Sequence, residues 1–293
     1  MGFETYHPAI NLLYFAGTIA AAVLFRQPVY LAISYVCAFA YSVWRGGRRA
    51  LVFDLCLIPL IVAFSLYYAS YHHFGLTVLR QNLIGNNLTL ESWLCGLTLG
   101  VLCASVLMWL RCVLSVFTAD KVVYLFGRVS PALSLFLSIL LRMFPRLKAQ
   151  GRKVSTARRA VGLGPGQGAL FQRIAHAAAI FSILLTWLLE SLASTSDSMR
   201  SRGHSLRGRS AFSIYRFDNR DRSLVVLFFA CLTATSMAHL LGQTTIRFDP
   251  CVVMSPITPA SALFYAAFAL FCLLPLLLEL WTQWRFRRAR RGL

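Results

Sequence analysis

Acidic residues are scarce in this chain, with 10 Asp and Glu against 29 Lys and Arg in 293 residues, a net charge of +19. Charged residues make up only 13% of it and apolar ones 58%. That excludes an ordinary soluble domain, which needs far more charged surface, and points to an integral membrane protein. Eight cysteines, at 37, 56, 95, 103, 112, 231, 251 and 272, contain no CxxC pair, so they read as small buried hydrophobes rather than metal or disulfide chemistry. The glycine-rich run Gly162–Gly168 lacks the Gly-Lys-Ser/Thr ending that holds phosphate and magnesium, so it reads as a turn and nucleotide hydrolysis is not expected in this chain. His72-His73 has no third ligand or nucleophile signature beside it. No catalytic residue, metal or cofactor is therefore expected. A cleavable leader is not expected either, because Met1–Pro8 carries Glu4 rather than a basic cluster.

What is present is a series of apolar windows long enough for a hydrocarbon core about 30 Å thick. They cover 9–25, 29–44, 51–71, 92–117, 223–242 and 260–281, with Trp44, Trp93, Trp281 and Trp284 near their ends in the manner of interfacial belts. Arg26-Gln27-Pro28 joins the first two as a tight turn. A net charge this high raises nucleic acid as a partner, but the basic residues are gathered into a few segments, so membrane lipids fit and no nucleic acid is expected. With six crossings, the loop Arg45–Arg49, the stretch 118–222 and the tail Arg285–Arg291 share one side. The other side keeps only Arg26, Arg80 and Arg247, 3 of 29 basic residues. The positive-inside rule then puts both termini in the cytoplasm.

The chain divides by this reading into an N-terminal bundle of four spans (1–117), a basic cytoplasmic region (118–222) and a C-terminal span pair with its tail (223–293). Two more apolar runs, 129–141 and 176–192, are read as interfacial helices, since crossings there would break the charge asymmetry. Asp54 and Glu279 stand near cytoplasmic span ends, where arginines can pair with them.

In the basic region, Leu147, Val154 and Val161 repeat every seven residues after Pro145, which predicts a helix ending at Gly162. Arg158, three turns beyond Leu147, falls on the same apolar stripe and needs an acceptor or a partner surface there. A second helix is expected from about Gln172 to Arg202, capped by Gly203, with Arg202 against the negative end of the helix dipole. Ala157-Arg158-Arg159 and Ser201-Arg202-Gly203 are the candidate docking motifs. The plain alternative is that these arginines only contact lipid phosphate.

Several segments carry a family resemblance: Tyr6-His7-Pro8 with Asn11–Phe15, Asp120–Arg128, Pro131–Leu135, Leu141–Arg146 and Ser198-Met199-Arg200-Ser201-Arg202-Gly203, with Asp218 and Asp221 beyond them. Over essentially its full length the chain resembles the transmembrane T component of energy-coupling factor (ECF) transporters, the EcfT/CbiQ-like family. The resemblance implies an all-α integral membrane protein of about six transmembrane helices plus cytoplasmic coupling helices bearing the two arginine motifs. It implies a non-catalytic scaffold in the cell membrane whose arginines insert into two ABC-type ATPase subunits. That scaffold would pass ATP-driven closure to one small membrane substrate-binding S component, for uptake of a vitamin or metal ion. The first motif reads Ala-Arg-Arg where the family has Ala-Arg-Gly or Ala-Arg-Ala, which leaves Arg158 and Arg159 both open as the docking residue; the apolar stripe favours Arg158. A conventional ABC importer permease forming its own path is the competing reading, and an intramembrane hydrolase a third.

Overall fold

The computed structural model describes residues 2–72, 74–81, 87–203, 215, 217–256 and 258–291. Among these, eight α-helices carry the chain: α1 Pro8–Leu24, α2 Pro28–Tyr71, α3 Leu90–Val116, α4 Ala119–Val129, α5 Pro131–Ala160, α6 Leu170–Ser201, α7 Asn219–Leu240 and α8 Pro259–Arg291. Two short antiparallel hairpins link α2 to α3 (β1 Val78–Gln81, β2 Asn87–Thr89) and α7 to α8 (β3 Ile246–Arg247, β4 Val253–Met254). Helix starts follow local chemistry. Pro8, Pro28 and Pro131 occupy first turns, where a missing N–H costs nothing. Asp218 and Asp221 close a reciprocal box at the start of α7, Asp218 Oδ1 accepting from Asn219 N at 2.8 Å and Asp221 Oδ2 from Asp218 N at 3.1 Å.

The chain separates into two compact units, residues 1–118 with 215–293, and residues 119–214. The segments 1–117 and 223–293, which the sequence divides by position, thus belong to one unit.

In the first unit α2 is two arms, 28–46 and 48–71, reversing at Gly47, whose φ of 58° and ψ of −144° suit glycine alone. The reversal is visible in the pairing with α3. Trp109 Nε1 donates to Ser34 Oγ (3.1 Å) and Arg45 Nε to Ser115 Oγ (3.3 Å), so the first arm runs parallel to α3. The second arm runs against it, from Arg111 Nη1 on Ala50 O (3.2 Å) to Ser65 Oγ on Trp93 O (3.0 Å). That second arm meets α3 closely at Gly96 and Gly100. A Cβ at Gly96 would stand 2.9 Å from Ser65 O, and one at Gly100 3.1 Å from Ile61 Cγ2. Small residues four apart let two helix backbones approach where lipid supplies no hydrophobic drive.

The core of this unit is aromatic. Trp109, Tyr14, Tyr41, Phe15, Phe228 and Phe268 are almost wholly buried, and Tyr14 OH donates to Cys272 O at 3.0 Å, tying α1 to α8. At one end, Gln27 N donates to Thr244 O (3.0 Å), joining the α1–α2 turn to the α7–α8 hairpin. At the other end Arg45 binds both Glu4 and Glu279, the latter at 3.2 Å, and His7 N reaches Asp221 Oδ1 at 3.5 Å. Gly2 lies beside Glu279, so the start of the chain and the tail of α8 share that end.

Helices α2, α3, α6, α7 and α8 are each long and apolar enough to cross a membrane, and α1 is a shorter apolar helix of 17 residues. These are the lengths and apolarity of an all-α membrane protein. Two sequence expectations change. The run 129–141 and the helix expected after Pro145 are a single helix, α5, which passes through Pro145. The cysteines are all free among the described residues, but only Cys37, Cys112, Cys231 and Cys272 are buried; Cys56, Cys103 and Cys251 are exposed.

Candidate functional site

In the second unit, α4 and α5 are joined where Ser134 Oγ donates to Val123 O at 3.0 Å, and Ser130 caps α5 through Leu133 N. Helices α5 and α6 then form an antiparallel pair. Ser191 Oγ lies 3.9 Å from Met143 Sδ, and the Cβ position of Gly151 lies 3.4 Å from Leu184 Cδ1, so as one helix advances the other retreats. No residue of α6 is buried, and Phe171, Leu170, Phe181 and Leu189 are between 60% and 88% exposed.

Each helix of the pair ends in a glycine of positive φ. At α5 the turn is complete: Leu163 N donates to Arg158 O (2.9 Å) and Gly162 N to Arg159 O (3.1 Å), with Gly162 at φ 78°. At α6, Gly203 has φ 76° and its N–H donates to Arg200 O at 3.0 Å. These caps satisfy the last carbonyls, and the arginines beside them offset the negative end of each helix.

The two motifs are not placed alike. Arg202 directly precedes its glycine and is exposed. Arg158 stands four residues before Gly162, half-buried on the same stripe as Leu147 and Val154, and its Nε donates to Leu163 O at 3.4 Å. An arginine thus stands next to the capping glycine at α6 but not at α5. Arg159 is exposed, with its stem over Gly164; a Cβ there would come 2.5 Å from Arg159 Cγ. Ala157 and Ser201 flank the arginines on exposed faces, Ser201 Oγ bonding back to Ser198 O at 2.9 Å. Among the described residues no carboxylate lies within ion-pair distance of Arg158, Arg159 or Arg202. Three guanidiniums therefore keep most of their forked donors for an external acceptor.

The spacing between the motifs follows from the pairing. Beyond Gly151, which meets Leu184, α5 runs on for about 9 residues, and beyond Ser191, which meets Met143, α6 runs on for about 10, each roughly 15 Å at 1.5 Å per residue. Because the helices are antiparallel, these arms point apart and set the two arginine turns at opposite ends of the pair. They cannot converge on one small ligand. They stand at similar distances from the contacts between the two helices.

The Gly162–Gly168 segment is occupied by its own bonds, Gly164 N donating to Gln167 Oε1 at 2.9 Å, as suits a turn. His73 lies outside the described residues, while His72 stacks on Tyr68 with centroids 4.1 Å apart. Asp54 and Glu279 both find arginines: Asp54 lies 3.7 Å from Arg111 and Glu279 3.2 Å from Arg45. Sequence reasoning passed over Arg45 and Arg111 as individual residues. Their partners were legible, since a carboxylate inside an apolar run needs a counter-charge. Compared with known proteins, the sequence matches no family model and no curated protein.

Proposed function

We propose that this chain is the membrane scaffold of an ATP-driven importer of the energy-coupling factor type, its T component. In this reading six helical segments cross the membrane: α1, the two arms of α2, α3, α7 and α8. Both termini and residues 118–222 face the cytoplasm. The end of the first unit that holds Arg45, Arg220, Arg222 and the arginines of the α8 tail is much the more basic one, which supports that orientation. Helix α6 is also long and apolar enough to cross, though less apolar than the spans. It is assigned to the interface because a crossing there would carry the tail arginines to the outer face.

The observation that carries the proposal is the antiparallel α5–α6 pair with a glycine-turned, arginine-bearing C-terminus at each far end. One such end suits one ATPase, and two ends suit two. ATP binding would draw the ATPases together, and each would carry its arginine-tipped helix with it. The shift would alter the apolar surface that α5 and α6 offer to a small membrane subunit holding the micronutrient. Catalysis would reside in the ATPases.

Purification in mild detergent followed by mass measurement of the intact complex tests this. The expected composition is one copy of this chain, two ATPases and one small membrane protein. A symmetric dimer of this chain with ATPases would support a conventional permease instead, and a chain recovered without ATPases would contradict both.

A further inference from the structure

We propose that the groove between the start of α7 and the end of α8 is a binding site for a single anionic phospholipid. The groove is a cavity of about 790 Å³ formed wholly within the first unit, inside the range of roughly 300–1,000 Å³ typical of small-molecule sites. Its two halves differ in chemistry. Leu224, Leu227, Leu274 and Leu278 line it farther along the two helices, and Arg220 and Arg285 line it toward the start of α7 and the end of α8, the groove's mouth. Trp281 lies between Leu278 and Arg285 along α8, with the Arg285 guanidinium 5.0 Å from its ring centroid, and indole rings favour the headgroup layer of a membrane. A phospholipid changes from acyl chain to phosphate at that same level.

Within the lining Asp218 and Asp221 balance Arg220 and Arg285 in charge, but the carboxylates bond backbone donors rather than the arginines. Asp218 and Asp221 direct their oxygens at the backbone N–H groups of Asn219, Asp218 and His7. Among the described residues neither forms an ion pair with Arg220 or Arg285. Burial raises the Tyr6 phenol at the groove wall above its ordinary value; the nearby charge of Arg220 pulls the other way and that of Asp221 adds to the rise. The tail beyond the mouth adds Arg287, Arg288 and Arg290, so the entrance is cationic as a whole. A phosphate with net negative charge fits this mouth, and an acyl chain fits the leucine wall. Free phosphate would leave the leucine wall exposed to water. The inference requires only that α7 and α8 lie in a membrane, and its test reads bound lipid rather than transport.

The full chain is reconstituted in nanodiscs of equal phosphatidylglycerol and phosphatidylcholine, re-extracted in mild detergent, and the lipid that stays bound is quantified by native mass spectrometry. The expected result is one retained phosphatidylglycerol per chain. Arg220→Gln and Arg285→Gln should each lower retention about fivefold, as expected for one basic residue at an anionic surface. Leu227→Trp, which narrows the apolar half, should abolish retention without touching charge. Arg222→Gln, outside the lining, should leave it unchanged. Equal retention of both lipids, retention unaffected by all three groove variants, or binding of inorganic phosphate alone with the same arginine dependence would each overturn the proposal.

Discussion

Replacing Arg202 with alanine is expected to strip the ATPases from the complex while leaving the amount of this chain in the membrane unchanged. The guanidinium of Arg202 stands exposed at the capped end of α6, so its loss removes a contact without disturbing the helix. Truncating one partner of a buried charged contact costs about 2–5 kcal/mol, so affinity should fall by some thirtyfold or more. Arg158→Ala should act in the same direction at the other end. Arg158 also holds Leu163 O, a long bond at 3.4 Å, so its variant carries a small structural component as well. Arg159→Ala separates the two candidates of the first motif. If Arg158 docks, the Arg159 variant keeps its ATPases. Arg202→Lys should recover little, because an ammonium cannot reproduce the planar fork. Copurification of ATPases and substrate uptake, normalised to membrane content, are the readouts; undiminished values in both alanine variants would refute the docking role.

Arg45→Ala is expected to destabilise the protein by about 3 kcal/mol, the lower end of what removing one partner of a buried ion pair costs. Arg45 sits just before the Gly47 reversal and ties four elements together: it binds Glu4 in the N-terminal segment, Glu279 in α8 and Ser115 at the end of α3. The Glu279 side chain is only 9% exposed. Without Arg45 it keeps, among the described residues, only the Tyr41 hydroxyl, which donates at 3.4 Å, and its charge is left poorly paired in a largely buried site. Glu4, far more exposed, contributes less. The double variant Arg45→Ala with Glu279→Gln should therefore be more stable than Arg45→Ala alone, since it removes the stranded charge. Thermal unfolding in detergent measures both. An unchanged midpoint for Arg45→Ala would mean that the clamp is worth no more than a surface pair.

The apolar windows and their junctions could be read from the sequence because length and apolarity are enough for that purpose. The reversal near Arg45–Arg49 is one example, and the Arg26–Pro28 turn another. The packing was much less legible. In water, periodic apolar residues mark a core; in lipid, the apolar side chains can face outward and the pattern loses its meaning. Leu114, Leu66 and Val62 are well exposed here, while Ser34, Ser105, Thr18 and Asn11 are buried. Gly96 and Gly100 did carry a readable signal, four residues apart on a span, which marks a close helix contact. Pro145 misled for a different reason. A proline forbids one backbone bond, but apolar or amphipathic sequence on both sides can keep the helix going through it. At the candidate site, Gly162 and Gly203 were legible as caps and Arg158 as a member of the apolar stripe. The antiparallel pairing that separates the two arginine turns was not, since it depends on contacts such as Met143 with Ser191, far apart in sequence.

The orientation of the arginine turns is tested most directly with a cysteine at Gly166, where a side chain meets nothing within 4 Å. Native Cys251, exposed between α7 and α8, serves as the comparison thiol in the unsubstituted chain, and Gly166→Cys is introduced with Cys251→Ser. A membrane-impermeant maleimide is applied to intact cells and to inside-out vesicles. The expected result is that Cys251 reacts on intact cells while the residue-166 thiol reacts only in inside-out vesicles. Labelling of the residue-166 thiol on intact cells would place the α5–α6 turn outside, beyond the reach of any ATPase, and would contradict the proposed coupling role.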